Sequence, residues 1–319
     1  MNKGKVVNSF YDGSESGFGD FLRGSIYLYN ICKKHNIDFD IDISCHPINK
    51  FVSSSHKSDC KKDEILCLTK KTKDHFGDVN FFKNLNKTLF NFLVGVKKGD
   101  VKYIFSCFSE IGSILPKNII EFINKKEEFS DDCCSFFKKN LLFSPSVVES
   151  VNNSLQSEKI EDYNLIHFRV GDNVSFLGRE DQDGPTNEEC FYICKKEFEY
   201  RGSKLPLVII SDSNKLKSYI KTQAKKYGFP FYVFHTSSGH MQNRPSSLNE
   251  SEESVCYTTD NLFYAVFDMK LLSMAKTAKS YSVYSWGSGF FAWIAKIYKV
   301  PCLLHPFPKL DIGGKKNNI

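Results

Sequence analysis

Residues 163–172 read YNLIHFRVGD, and residues 205–213 read LPLVIISDS. Each is a short apolar run ending in polar or charged residues, the pattern of a strand buried on both faces. The first run delivers Arg169 to the strand's carboxyl end and turns at Gly171-Asp172; the second ends at Ser211-Asp212-Ser213. Downstream the pattern repeats: strand-like segments at 231–234, 280–284 and 300–304 alternate with helical apolar periods at 216–227, 261–275 and 288–298. Upstream, 5–10 reads as a strand, a glycine-rich turn follows, and 20–35 reads as a helix with Phe21, Leu22, Ile26, Leu28, Tyr29 and Cys32 on its apolar side. The segment IDFDIDI at 37–43 alternates strictly, as a half-buried strand does. Strand alternating with helix predicts parallel sheets of the doubly wound kind. The expected fold is therefore α/β, with two Rossmann-like domains whose parallel sheets face a central cleft, where ligands collect.

A chain of 319 residues, 41% hydrophobic with 29 Phe, can bury a core large enough to exclude disorder and a disulfide mini-scaffold. The domain boundary is expected near residue 150, giving 1–150 and 151–319, within the polar stretch 144–162 that also carries a helical pattern at Val147, Val148, Val151 and Leu155. The polar stretch 235–260 reads as a long surface loop. Net charge is +6, enough to favour anionic ligands and too small and dispersed for a nucleic-acid partner. No apolar run is long enough to span a membrane, and the basic start lacks an apolar continuation, so the chain reads as soluble and cytoplasmic. The 11 cysteines are odd in number, irregularly spaced and free of C-x-x-C, which predicts reduced thiols. His56 and Cys60 have half of a zinc spacing with no second pair nearby, so no metal centre is expected there.

Four places carry chemistry. Arg169 presents a planar fork of donors to the ligand crevice, suited to a phosphate, or else it pairs with Asp172 across the turn. Ser211 and Asp212 can hold a ribose, base or phosphate, or cap the following helix. Ser282 to Ser288, with Ser285 and Trp286 between them, place small residues before an apolar helix, so free N–H groups and hydroxyls can receive an anion. The loop 12–20, DGSESGFGD, lets a ligand approach the backbone at Gly17 and Gly19 and offers the carboxylates of Glu15 and Asp20; Asp20 also suits a helix cap. This loop is not a dinucleotide fingerprint, because Leu22 stands where the third glycine belongs. Asp38, Asp40 and Asp42 share one face of an alternating strand; D-x-D is a metal-binding pattern, but a solvated face accounts for it.

In order, these segments resemble the GT-B fucosyltransferase superfamily of α1,2-, α1,6- and protein O-fucosyltransferases. The matching residues are Gly17-Phe18-Gly19-Asp20, His167-Phe168-Arg169-Val170-Gly171-Asp172, Ser211-Asp212 and the serines from 282 to 288. Ser213 departs from the family's second acid, Asp20 stands where Asn is commoner, and residues 45–150 match nothing in it. The resemblance implies an inverting transfer of fucose from GDP-fucose to a glycan hydroxyl, with no cofactor and no obligatory metal. It implies Arg169 as the cation on the departing β-phosphate, and Asp20 and Glu15 as candidates for the base. Gly17, Gly19, His167, Asp172, Ser211, Asp212, Asp268, Ser282, Ser285, Trp286 and Ser288 are then the donor-binding set. Another nucleotide sugar, or a non-catalytic glycan- or nucleotide-binding protein of the same fold, are the alternatives.

Overall fold

The computed structural model describes residues 4–11, 17–56, 64–68, 79–106, 129–170, 185–200, 205–237, 259–283 and 287–307, the side chains of 68, 79–86 and 259–260 excepted. Four strands, β1 (Lys5–Ser9), β2 (Asp38–Asp42), β4 (Ile65–Leu68) and β5 (Val101–Ser106), form a parallel sheet in the order β2-β1-β5-β4. Five more, β7 (Asn164–Arg169), β8 (Leu207–Ser211), β9 (Phe231–Tyr232), β10 (Thr277–Ser282) and β11 (Cys302–Pro306), form a second parallel sheet, β11-β10-β7-β8-β9. Strands β3 (Val52–Ser54) and β6 (Leu141–Phe143) pair antiparallel on their own. Both large sheets are entirely parallel, as the alternating pattern predicts. In chain order the second sheet runs 3-2-1-4-5, so its strand order reverses between β7 and β10.

The helices are α1 (Phe18–Lys34), α2 (Val79–Val94), α3 (Asp131–Asn140), α4 (Pro145–Ser157), α5 (Asn187–Tyr200), α6 (Asn214–Tyr227), α7 (Thr259–Met274) and α8 (Gly289–Ile297). Among the described residues, none is long and apolar enough to cross a membrane. One core cluster runs from Phe10, Phe21 and Phe105 of the first half to Phe267, Phe291 and Trp293 of the second, through α1, α3, α4, α7 and α8. Two smaller clusters close the outer faces. Val6, Ile104, Leu89 and Leu93 lie on the first sheet, and Ile166, Phe168, Ile209, Leu216 and Ile220 lie on the second.

This layering decides which way the strand residues face. On β7, Ile166 and Phe168 belong to the outer cluster and Leu165 to the central one, so the period-2 alternation turns Leu165, His167 and Arg169 toward the first half of the molecule. The paired rows on this face change steadily along the strands. Leu165 sits opposite Ala278 and Val208, His167 opposite Ser280 and Ile210, and Arg169 opposite Ser282. Apolar packing at the base thus gives way to hydroxyls and then charge at the carboxyl ends.

The eight described cysteines form no disulfide, and five of them are buried. The D-x-D segment corrects one expectation. Asp38 is exposed, but Asp42 is buried and accepts from Ser9 Oγ at 3.2 Å and Ser44 N at 2.9 Å, while Asp40 accepts from Ser55 Oγ at 2.9 Å. The acids are spent on loop fastening as the strand runs inward, so they do not form a uniformly solvated face. Among the described residues, no three His, Cys, Asp or Glu side chains gather into a group that could hold a metal ion.

Candidate active site

Arg169 ends β7 at the point where the strand order of the second sheet reverses, the place where open α/β sheets present a ligand crevice. Its Nη1 donates to Asp212 Oδ2 at 2.6 Å, and the other oxygen, Oδ1, accepts from Val170 N at 2.9 Å. The partner is therefore across the β7–β8 pair, and Asp172 lies outside the described residues. The two side chains are 15% and 11% exposed, enough screening from water to make the pair strong and enough opening for the guanidinium to meet a ligand.

Beside Asp212, the neighbouring serines perform the local tasks. Ser213 caps α6, its Oγ accepting from Leu216 N at 3.2 Å, and Ser211 Oγ accepts from Ser213 N at 3.1 Å. The departure from the family's second acid at Ser213 thus supplies a helix cap.

The second element of the site is the start of α8. Ser282, opposite Arg169 in register, closes β10, and Val283 N donates to Arg169 O at 3.0 Å. Gly287 then takes φ +82°, a left-handed conformation that favours glycine, and a Cβ there would come within 3.2 Å of Leu304 Cδ1. Ser288 follows as the N-cap of α8. It is buried, yet its hydroxyl caps no backbone N–H, and no acid occupies the first turn. Among the described residues, the amino end of α8 therefore has no side-chain cap, and its positive dipole end carries no acid.

The first half contributes a second helix start. Gly17, extended at φ −75° and ψ 155°, is the N-cap of α1, again with no side-chain cap. A Cβ on Gly19 would sit 3.2 Å from Phe290 N and 3.5 Å from Phe290 Cα, so the glycine lets the first turn of α1 press against the first turn of α8. Asn8, fully buried, holds α1 in this place: its Nδ2 donates to Ser25 Oγ at 2.7 Å and its Oδ1 accepts from Ser106 N at 2.9 Å. Two uncapped amino termini, one from each half, converge beside Arg169's strand.

Other expected residues fall as follows. Asp20 lies in the first turn of α1, 55% exposed, and pairs with Arg23 at 3.0 Å; the cap position that it suited belongs to Gly17. His167 is buried in the row beneath Arg169, its Nδ1 2.8 Å from Ser280 Oγ and its ring stacked on Phe291 at 5.3 Å. Burial pulls its imidazole down to about 4, against the nearby carboxylate of Asp212, so it stays neutral above that pH. Asp268 on α7 is buried, with Oδ1 2.6 Å from His235 Nε2. Glu15, Asp172, Ser285 and Trp286 lie outside the described residues. Sequence reasoning missed Lys217 and His235, which meet beside Asp268; the one available signal was a lysine inside the apolar stripe of Leu216, Ile220 and Ala224.

No protein-family model matches the chain, and no curated protein matches it. Among solved structures it is similar to the α-1,6-fucosyltransferase NodZ of Bradyrhizobium soaked with GDP-fucose, at 11% identity over 93% of this chain and 93% of that one, with a TM-score of 0.47. It is similar to a mutant of Arabidopsis thaliana FUT1 in complex with GDP, at 14% identity over 95% and 70%, TM-score 0.48. It is also similar to POFUT1 in complex with GDP, at 10% identity over 95% and 98%, TM-score 0.46.

Proposed function

We propose that the chain is an inverting glycosyltransferase that moves fucose from GDP-fucose to a hydroxyl of a glycan acceptor without needing a metal ion. The observation that carries the reading is the grouping at the β7/β10 reversal of Arg169 braced by Asp212 with two helix amino termini that, among the described residues, have no side-chain cap, the one at α8 opened by Ser288. That arrangement suits a diphosphate. The choice of guanosine and fucose rests on the ordered motifs around Gly17, Arg169, Asp212 and Ser282.

In the reaction the acceptor oxygen attacks the sugar's anomeric carbon on the face opposite GDP, and the sugar passes through an oxocarbenium-like state. Charge accumulates on the β-phosphate as its bond to the sugar breaks. Arg169, Ser288 and the N–H groups opening α8 take up that charge, and because strand and helix ends hold them in place they stabilise the transition state with little reorganisation. Asp20, on the first turn of α1, takes the acceptor's proton, with Arg23 setting its orientation.

Calorimetry with GDP and UDP, followed by product analysis with GDP-fucose and a glycan panel, tests the reading. Binding of GDP, no competition by UDP sugars and an inverted product support it. Binding of a UDP sugar with no response to GDP would end it.

A further inference from the structure

Between helix α3 and strand β2, the first half of the molecule holds an open groove of about 410 Å³, within the size range of small-molecule sites. Its walls follow from two sequence patterns. On α3, Cys133, Cys134 and Phe137 are buried, while Asp132, Ser135, Phe136 and Lys139 recur at helical spacing and line the groove. On β2, the edge strand of its sheet among the described residues, Phe39 and Asp40 supply the opposite wall.

Part of this lining is aromatic. Phe136 lies 5.6 Å from Phe39 and 4.8 Å from Tyr29 of α1, and Tyr29 meets Phe39 edge-on at 6.1 Å. The packing leaves Phe39 and Phe136 only half-buried. The rest is polar and of both signs. Asp40 Oδ1 accepts from Ser55 Oγ at 2.9 Å and its Oδ2 lies 3.5 Å from Lys5 Nζ, while Asp132 pairs with Lys33. Lys139 adds an ammonium and Ser135 a hydroxyl. An anion in the groove would meet the carboxylates, and a cation would meet the ammonium. A neutral ligand rich in hydroxyls meets neither conflict, because each hydroxyl both donates and accepts. C–H groups of such a ligand suit the negative faces of the rings. A pyranose has both features, C–H groups on a face and hydroxyls around the edge.

Helix α1 links this groove to the candidate active site. Tyr29 is eleven residues past Phe18, about 17 Å along the helix. That is too far for the sugar being transferred and within reach of another residue of an extended glycan. We propose that the groove holds a pyranose ring of the acceptor glycan, at a distance from the bond being formed. The sugar class follows from the lining; its membership of an acceptor rests on the transferase reading above.

The test uses saturation-transfer NMR with the methyl glycosides of glucose, galactose and N-acetylglucosamine. An open groove gives weak affinity, on the order of 1 mM, so the glycosides are added above that concentration. At least one should receive saturation at its C–H protons from wild type. Ser135→Arg, from an exposed position on α3, fills the groove, and Phe136→Leu removes the ring but keeps apolar bulk; each should cut the signal at least about fivefold, while Phe136→Tyr stays within about twofold. GDP affinity should be unchanged in all three. With the glycan panel, Ser135→Arg should raise KM for acceptors of several residues and leave single-residue acceptors as they were. No saturation in wild type overturns the proposal, as does a signal that persists in folded Ser135→Arg, a signal displaced by GDP, or an unchanged KM for every acceptor. Glycoside binding that Ser135→Arg abolishes, in a protein with no affinity for GDP, sinks the proposed function and leaves the sugar groove standing.

Discussion

Removing the Arg169 guanidinium separates a structural clamp from a catalytic cation, because the two roles have different partners. The clamp is the 2.6 Å pair with Asp212; the proposed catalytic role is toward a phosphate. Breaking a buried pair by deleting one member costs about 3–5 kcal/mol. Here the side chains keep 15% and 11% of their exposure, and Val170 N still serves the carboxylate, so about 2 kcal/mol is the better expectation for Arg169→Ala. For a chain of this length that lowers the melting temperature by roughly 3 °C. The loss in turnover should be far larger, on the order of 10²–10³ in kcat, because the cation's interaction strengthens as charge develops on the leaving group.

The double variant Arg169→Ala/Asp212→Ala is decisive. It removes the stranded carboxylate, so part of the lost stability should return, while turnover stays low because nothing replaces the cation. Arg169→Lys keeps charge without the planar fork and should rescue only slightly. Melting curves and kcat on the same preparations suffice. A folded Arg169→Ala protein with near-normal kcat, or turnover restored in the double variant, refutes the assignment.

Gly19→Val should raise the donor KM and lower stability by about 1–3 kcal/mol, since the added bulk meets Phe290 main chain at the α1–α8 contact; unchanged donor affinity would separate that contact from the site. Gly287→Ala forces a side chain into φ +82° and toward Leu304, and should cost about 1–2 kcal/mol in thermal stability together with weaker GDP binding. His167 has a folded-state pKa of about 4 against about 6.5 unfolded, so the unfolded chain takes up the extra proton between these values. Stability should therefore fall as pH drops from 6.5 to 4, by up to about 3 kcal/mol, and His167→Asn should flatten that limb of the urea-midpoint profile. Turnover of GDP-fucose should survive EDTA; abolition by chelator with recovery on Mn²⁺ or Mg²⁺ would reject the metal-free mechanism.

The second sheet was legible because its central strands are buried on both faces and so write themselves as unbroken apolar runs, LIHF and LVII. The middle of the first half was not. Its strands β3 and β4 are three and four residues long, too short to display a period, and β5 begins with an exposed valine and a lysine. Site legibility followed the same physics. Arg169, Ser282 and Ser288 stand at strand and helix ends, where a residue type signals its position. The pairing of Arg169 with Asp212 was not legible, because local spacing cannot show a contact set by the β7–β8 register. Lys217 and His235 were invisible for a related reason: each looks like an ordinary residue of its own segment, and only packing of α6, α7 and the β9 exit brings them to Asp268.

Charge bookkeeping within the site then says where its attraction for an anion arises. Arg169 is paired with Asp212, and Lys217 and His235 gather beside Asp268. Full charges in the described part of the site therefore compensate one another before any ligand arrives, which is how they tolerate burial. Beside them, among the described residues, lie two helix amino termini without a side-chain cap. The start of α8 has no acid in its first turn and no side-chain cap, and the start of α1 carries Asp20 only as a partner of Arg23. These fixed dipoles give a positive field without the cost of an unpaired buried cation. In the proposed reaction Arg169 shares its fork between Asp212 and the diphosphate, and Val170 N continues to hold the carboxylate. Among the described residues, a cation already paired with a carboxylate and a helix dipole beside it combine in a way that a single exposed lysine could not.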